Sequence, residues 1–278
     1  MPGPWARFVE NISSKLAFFP PDPPTYEFVE ARSGHWGGAW LRTDHFSLIP
    51  GCEVFKLETK KRKGGGGGEV IVCCMMRQLH ARKTLLYSHG NAVDLGQLQP
   101  FLRDLSEQLQ VNIMSYDYSG YGRSTGMHTV NNTLADIDSV YECLQTKYRL
   151  QPKDIVLYGQ SVGTGPSVDL AAREADVGGL ILHSPLMSGV RVLSPGLRLW
   201  PNWADVYPNL TLMPKVKCVT TILHGTEDEV IAIEHGYKLH SLCKRPWGPL
   251  WLEGYNHQNL ELSPQYLPHL RSFLAQLE

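Results

Sequence analysis

The sequence predicts an α/β protein with a mostly parallel central sheet, helices on both of its faces and a small cap segment. Two observations carry that expectation. From Lys83 onward, short apolar runs alternate with stretches of helical period, the pattern left by parallel strands buried on both sides and joined by crossover helices. Within that alternation, Gly159-Gln160-Ser161-Val162-Gly163 stands between the apolar run Asp154 to Tyr158 and a helix-like stretch from Thr164, where a sharp strand-to-helix turn belongs. At 278 residues the chain can bury one large core, so residues 25–278 read as a single domain preceded by a separate segment over 1–24.

In chain order, Trp5, Phe8, Val9, Ile12 and Leu16 recur at helical spacing and stop at Phe18-Phe19-Pro20-Pro21. This is an amphipathic start closed by proline and followed by a proline-rich linker to Pro24. Its apolar face is expected to pack on the domain, with weak contact to a membrane surface as the alternative. Residues 25–80 hold short strands, among them Cys52 to Leu57 and Glu69 to Met76, which open the sheet in antiparallel fashion. Between those two lie Lys60 to Lys63 and five glycines, Gly64 to Gly68. Without the Lys-Ser/Thr ending and the following helix of a phosphate loop, they read as a flexible, solvated hairpin tip with weak attraction to anionic lipid at most. The later strands are Thr84 to Ser88, Val111 to Asp117, Asp154 to Tyr158, Gly179 to Leu182, Val219 to Leu223 and Leu250 to Leu252. Helical periods between them align Leu98, Phe101, Leu102, Leu105 and Leu109, then Leu134, Ile137, Val140 and Leu144, and finally Leu267, Leu270, Phe273, Leu274 and Leu277. The interval 186–214, rich in proline and tryptophan, is too long for an ordinary connection and reads as a cap over the site.

Composition excludes several classes. A formal net charge of -1 provides no electrostatic footprint for nucleic acid. The six cysteines form no Cys-x-x-Cys pair and read as buried free thiols, and Arg7, Glu10 and Lys15 interrupt any secretory core. A reducing, cytoplasmic setting is therefore expected rather than secretion, with peripheral contact on the cytosolic face of membranes as its furthest extension. No run approaches the roughly 20 apolar residues of a membrane span. No histidine cluster has metal spacing, so neither a metal nor another cofactor is expected.

The pentapeptide is where chemistry is expected. A serine on a tight turn after a strand is pushed into the open, and the amide of Val162 points to where a carbonyl oxygen becomes negative during acyl transfer. A serine hydroxyl is a poor nucleophile at neutral pH and needs a base, which needs a carboxylate to hold its tautomer. Asp228 follows the strand Val219 to Leu223, and His257 occupies the loop between the last strand and the last helix, beside Gly254 and Asn256. Ser161, Asp228 and His257 are the candidate catalytic residues, with Glu227 and Asp205 as weaker rivals for the acid. His224 and His89 are expected to be architectural. A second oxyanion donor is expected from Ser88-His89-Gly90-Asn91-Ala92, at the amide of Asn91 or alternatively Ala92. Leu186, Met187, Val190, Leu193 and Trp200 are candidates for an acyl pocket, with plain core packing as the competing reading.

Several blocks together carry a family resemblance. Ser88 to Gly96 (SHGNAVDLG), Tyr116 to Gly122 (YDYSGYG), Leu157 to Gly163 (LYGQSVG), His183-Ser184-Pro185, Ser188-Gly189 with Arg191-Val192, His224 to Ile231 (HGTEDEVI), Pro249-Leu250-Trp251 and Lys15 to Pro21 closely resemble the alpha/beta hydrolase domain-containing protein 17 family. The resemblance implies an alpha/beta-hydrolase fold. It also implies serine hydrolysis of thioesters, removing palmitate from S-acylated, membrane-associated proteins through Ser161, Asp228 and His257. A lipase or carboxylesterase acting on small acyl esters is the alternative, and a non-catalytic binding protein of the same fold a further one. Two departures stand out. Animal members begin with a palmitoylated cysteine-rich segment, whereas no cysteine precedes Cys52 here, as in the plant and algal branch, so anchoring by that route is not expected. After Val192 the cap carries Pro195, Trp200 and Trp203 in place of a more basic aromatic stretch, which bears on substrate choice.

Overall fold

The computed structural model describes residues 18–30, 38–45, 49, 51–63, 65–193 and 205–278. The amphipathic start from Trp5 to Leu16 and the cap residues Pro195, Trp200 and Trp203 lie outside the described residues. Four strands, β1 (Glu27–Glu30), β2 (Ala39–Arg42), β3 (Cys52–Glu58) and β4 (Val70–Met76), run antiparallel in succession. Six more follow: β5 (Thr84–Ser88), β6 (Asn112–Tyr116), β7 (Ile155–Gln160), β8 (Gly179–His183), β9 (Thr220–Gly225) and β10 (Leu250–Leu252). They pair in parallel, and all ten make one sheet in the order β1-β2-β3-β4-β6-β5-β7-β8-β9-β10. After β5 the chain goes to one side for β6, then crosses to the other for β7. The loops leaving β5 and β7 therefore part in opposite directions at the same sheet edge, the place where open α/β sheets form their sites.

The helices are α1 (Leu95–Leu109), α2 (Val130–Thr146), α3 (Thr164–Arg173), the short α4 (Gly189–Leu193) and α5 (Asn209–Leu212), α6 (Glu234–Leu242) and α7 (Tyr266–Gln276). They cover both faces of the sheet, and the pleat decides which residue meets which helix. Leu85 and Tyr87 pack with Leu98 and Leu102 of α1 and with Leu270 and Phe273 of α7. Leu86, between them, packs on the opposite side with Ile137 and Val140 of α2, Val168 of α3 and Leu239 of α6. Because both faces are dry, the parallel strands are buried at nearly every position rather than at every second one. Each large side chain so buried is worth about 1.5–3 kcal/mol, which holds the strand ends, and hence the loops, in register. Four of the six cysteines, Cys73, Cys74, Cys143 and Cys218, are buried free thiols, while Cys52 and Cys243 are half-buried. Among the described residues no helix is long and apolar enough to cross a membrane.

One expectation is corrected. The hairpin between β3 and β4 keeps Lys60, Lys61 and Lys63 exposed, but it is not a free, flexible tip, because it folds back onto α2 and α3. Arg62 bridges Asp169 at 2.8 Å and Asp138 at 3.4 Å, and the Lys60 amide donates to Ser139 Oγ at 3.0 Å. The Gly67 amide donates to Asn132 Oδ1 at 3.1 Å. The glycines serve close approach: at Gly66, with φ of 81°, a Cβ would lie 2.3 Å from the Asn131 carbonyl oxygen. Composition marked the segment as flexible; the acidic face of α2 and α3 that receives it comes from elsewhere in the chain.

Candidate active site

β7 ends at Gln160, and Ser161 opens a single 3-10 turn, Ser161–Gly163, that feeds α3. Ser161 has φ of 51°, the left-handed region, which for a residue with a Cβ costs about 1–2 kcal/mol. The glycines on either side explain how the turn can be this tight. A Cβ at Gly159 would sit 2.6 Å from the Gly163 carbonyl oxygen, and one at Gly163 would sit 2.1 Å from the Ser88 carbonyl oxygen. The turn thus presses against the end of β5. Thr164 Oγ1 donates to the Ser161 carbonyl at 2.6 Å and holds the turn closed.

The loops after β9 and β10 bring the other two candidates to this serine. His257 Nε2 lies 3.0 Å from Ser161 Oγ, and His257 Nδ1 lies 2.8 Å from Asp228 Oδ2. An ionised carboxylate only accepts, so Nδ1 carries the proton and Nε2 presents its lone pair to the serine hydroxyl. Asp228 is held in turn. Its Oδ1 accepts the amides of Ile231 at 2.7 Å and Val230 at 3.0 Å, and its Oδ2 lies 3.2 Å from His224 Nε2. Burial works against the charge of Asp228, but the hydrogen bonds from His224, His257 and the Ile231 amide outweigh it and hold the carboxyl well below the usual range. The side chain is fully buried, so this charge is stabilised by dipoles rather than by water. Such an arrangement can take a proton from Ser161 as its oxygen attacks a carbonyl carbon, and can stabilise the imidazolium that results.

The rivals are placed elsewhere. Glu227 is exposed, and Asp205 pairs with Arg191 at 3.4 Å and accepts the Val190 amide. The one proton on His224 Nε2 is shared between the Ile231 carbonyl at 2.7 Å and Asp228 Oδ2 at 3.2 Å, bracing the Asp228 loop. His89 is fully buried, with Nδ1 donating to the Gly90 carbonyl at 2.7 Å, and burial lowers its pKa to about 4. Both are architectural in this structure.

Val162 lies at the start of the 3-10 turn, where an amide has no acceptor within its own helix. Across from it, Ala92 has φ of 58° and its amide donates to Asn91 Oδ1 at 3.0 Å, which counts against Ala92 as the second oxyanion donor. Of the acyl-pocket candidates, Leu186 is buried in the core cluster that contains Val162, so its side chain packs rather than lines an open pocket. Met187 and Val190 are half-buried. Trp200 and the side chain of Leu193 lie outside the described residues.

Comparison with known proteins gives the family and the fold of the chain. Residues 79–220 match the Hydrolase_4 family model, described as serine aminopeptidase, S33. The human alpha/beta hydrolase domain-containing protein 17B is 44% identical over 273 residues, 96% of this chain and 91% of that protein. The chain belongs to the alpha/beta hydrolase domain-containing protein 17 family. Another relative, the alpha/beta hydrolase domain-containing protein aho-3 of Caenorhabditis elegans, is 43% identical over 271 residues, 96% of this chain and 79% of that one. The fold is shared with the Pyrococcus furiosus esterase Pf2001 at a TM-score of 0.65, with 14% identity and coverage of 81% of this chain and 92% of that one. Family and fold together support a serine hydrolase.

In this family member the site is held by residues to which sequence reasoning assigned no role. Gln160, just before the serine, accepts from Tyr87 Oη at 2.8 Å and donates to Glu261 at 3.1 Å, tying the elbow to the turn that follows His257. Asp117, at the end of β6, accepts from Tyr26 Oη at 2.6 Å and from the Leu95 amide at 2.9 Å. Asp136 of α2 accepts the amide and hydroxyl of Ser119, each at 2.7 Å. Asp117 and Ser119 stand in the Tyr116 to Gly122 block that carries the family likeness, but nothing in the block reveals their partners.

Proposed function

We propose that this hydrolase cleaves thioesters, removing palmitoyl groups from S-acylated proteins through an acyl-enzyme on Ser161. The observation that carries the reading is the continuous relay Ser161 Oγ, His257 Nε2, His257 Nδ1, Asp228 Oδ2, with links of 3.0 and 2.8 Å. As Ser161 Oγ bonds to the thioester carbonyl carbon, its proton passes to His257 Nε2, and the oxyanion is held by the amides of Val162 and Asn91. Collapse breaks the carbon–sulfur bond and the thiol leaves with the proton from His257. Water then attacks the acyl-Ser161 ester, gives its proton to His257, and releases the fatty acid and free serine. A thiolate leaves readily, so the site needs no strong acid for the departing group, which suits thioesters better than amides. Family membership supports the acylated protein as substrate, and Met187 and Val190 are the proposed wall for the acyl chain.

The test is labelling by a fluorophosphonate probe together with turnover of a palmitoylated peptide and of p-nitrophenyl esters of increasing chain length. The expected result is labelling that vanishes in Ser161→Ala and His257→Ala, with peptide depalmitoylation lost in step. Labelling that persists in Ser161→Ala sinks the nucleophile assignment. Turnover confined to short esters, with the peptide untouched, replaces depalmitoylation with a small-ester carboxylesterase.

A further inference from the structure

The motif Phe18-Phe19-Pro20-Pro21 has no part in the relay, yet the chain from Phe18 to Tyr26 lies directly on the loop that follows β5. It is attached at both ends of that loop. At the near end, Asn91 Oδ1 accepts the Phe19 amide at 2.8 Å, the Tyr121 hydroxyl at 2.7 Å and the Ala92 amide at 3.0 Å. At the far end, Asp94 accepts the Thr25 amide at 2.8 Å and also the Thr25 hydroxyl, while capping the first amides of α1. Phe18 supplies the apolar anchor. It is 2% exposed and edge-on to both Tyr121 and Tyr207, with ring centroids 6.5 and 6.2 Å away. The Tyr207 ring packs on Gly165 of α3, where a Cβ would come within 2.1 Å of it, so the same aromatic cluster also touches the helix behind Ser161.

The residues thus joined do not form an ordinary surface turn. Ala92 is held in the left-handed region, φ of 58°, next to the Asn91 amide proposed above as an oxyanion donor. A single side-chain oxygen that collects donors from its own loop, from the β6 loop and from the strap fixes the direction of that backbone. We infer that the strap Phe18–Tyr26, acting through the Asn91 side chain, is a positioning device for the oxyanion loop. This inference rests on the proposed serine hydrolase chemistry, but its mechanical part is separate from it: withdrawing Phe18 and Phe19 loosens residues 88–95 whatever the site does. It also makes Asn91 two-sided, its amide facing the reaction and its side chain recording whether the strap is seated.

Full-length Asn91→Ala, Asn91→Asp, Phe18→Ala and Tyr121→Phe variants test this by two readouts. The first is amide hydrogen exchange of the peptide spanning 88–95. The second is kcat and KM on a p-nitrophenyl ester, with the Ki of a trifluoromethyl ketone that forms the tetrahedral adduct. Asn91→Ala and Phe18→Ala are expected to speed exchange in that peptide. Asn91→Ala should lower kcat about 10- to 100-fold and raise the ketone Ki by the same factor, with KM held within about twofold, short of the 10²–10³ that follows loss of a donor outright. Asn91→Asp, which keeps the acceptor, restores slow exchange at 88–95, while its added negative charge beside the oxyanion leaves kcat below the parent. Tyr121→Phe, which removes one hydroxyl and little volume, moves both readouts in the same direction by less. Unchanged exchange at 88–95 in Asn91→Ala overturns the inference even if the enzyme is active. So does a loss of kcat accompanied by faster exchange throughout the sheet, which is plain destabilisation. An intact chain that takes no fluorophosphonate, but whose loop loosens when Phe18 is removed, overturns the catalytic reading and leaves the strap standing.

Discussion

Asp228 and Asp117 are both buried at the carboxyl edge of the parallel sheet, and their surroundings push them in opposite directions. Asp228 receives hydrogen bonds from His224, His257 and the Ile231 amide, and its carboxyl is held well below the usual range despite burial. Asp117 is fully buried, and burial raises its pKa well above the ordinary value, with the charge of Asp94 adding to the rise and the Tyr26 hydroxyl and Leu95 amide only partly offsetting it. The difference teaches what each can do. A carboxylate stabilised by donors can face a histidine that becomes positive, whereas one held toward its neutral form organises neighbours. Asp117 accordingly ties the strap, through Tyr26, to the first amide of α1.

The sharpest way to break this comparison is Asp228→Asn. The amide can still sit beside His257 but favours the wrong tautomer, and a fall of about 10⁴-fold in kcat is expected from steady-state kinetics. Asp117→Ala should act on stability instead. It leaves the Leu95 amide and the Tyr26 hydroxyl without their buried acceptor, at about 1–3 kcal/mol for each group, read as a lower midpoint in urea unfolding, with kcat reduced far less than in Asp228→Asn.

Asp136 sharpens the comparison through pH. Burial raises its pKa to about 7, against hydrogen bonds from Ser119 that lower it. An unfolded aspartate titrates near about 3.9, so between there and about pH 7 the folded state binds the extra proton, and this group's contribution to stability falls as pH rises. Asp228 has the opposite sign: its contribution is present above about pH 3.9 and is lost as pH falls below it. Asp136→Asn is therefore expected to flatten the decline in melting temperature between about pH 4 and 7, while Asp228→Asn flattens the acid limb. The smallest effect is expected for Glu227→Gln. That carboxylate is exposed and adjacent to Asp228 in sequence alone, so kcat and stability should stay within error of the parent.

Much of the site was legible before the fold was known. Ser161 is marked by glycines two positions either side, because the turn leaves no room for a Cβ at Gly159 or Gly163. Asp228 and His257 are marked by following strands in the right order. The parallel strands are readable to within a residue or two, since burial on both faces leaves short, largely uncharged runs between helical periods. What was misread or unread shares one property. The glycine-rich hairpin reads as flexible because the partners that hold it, Asp138 and Asp169, are far along the chain. Asn91 was assigned for its amide, while its side chain meets Phe19, 72 positions away, and Tyr121, 30 away. Tyr26 and Asp117 are 91 apart.

By itself, then, the sequence determined the α/β class and the elbow, and named Ser161, Asp228 and His257 as candidates, because these depend on local periodicity, on the order of strands and on backbone space around one turn. Only the tertiary structure decided which carboxylate stays charged, which histidines are braces and what holds the loop after β5. Those follow from desolvation and from the hydrogen-bond donors that distant segments bring to one point, and neither quantity exists until the sheet has gathered its loops along a single edge.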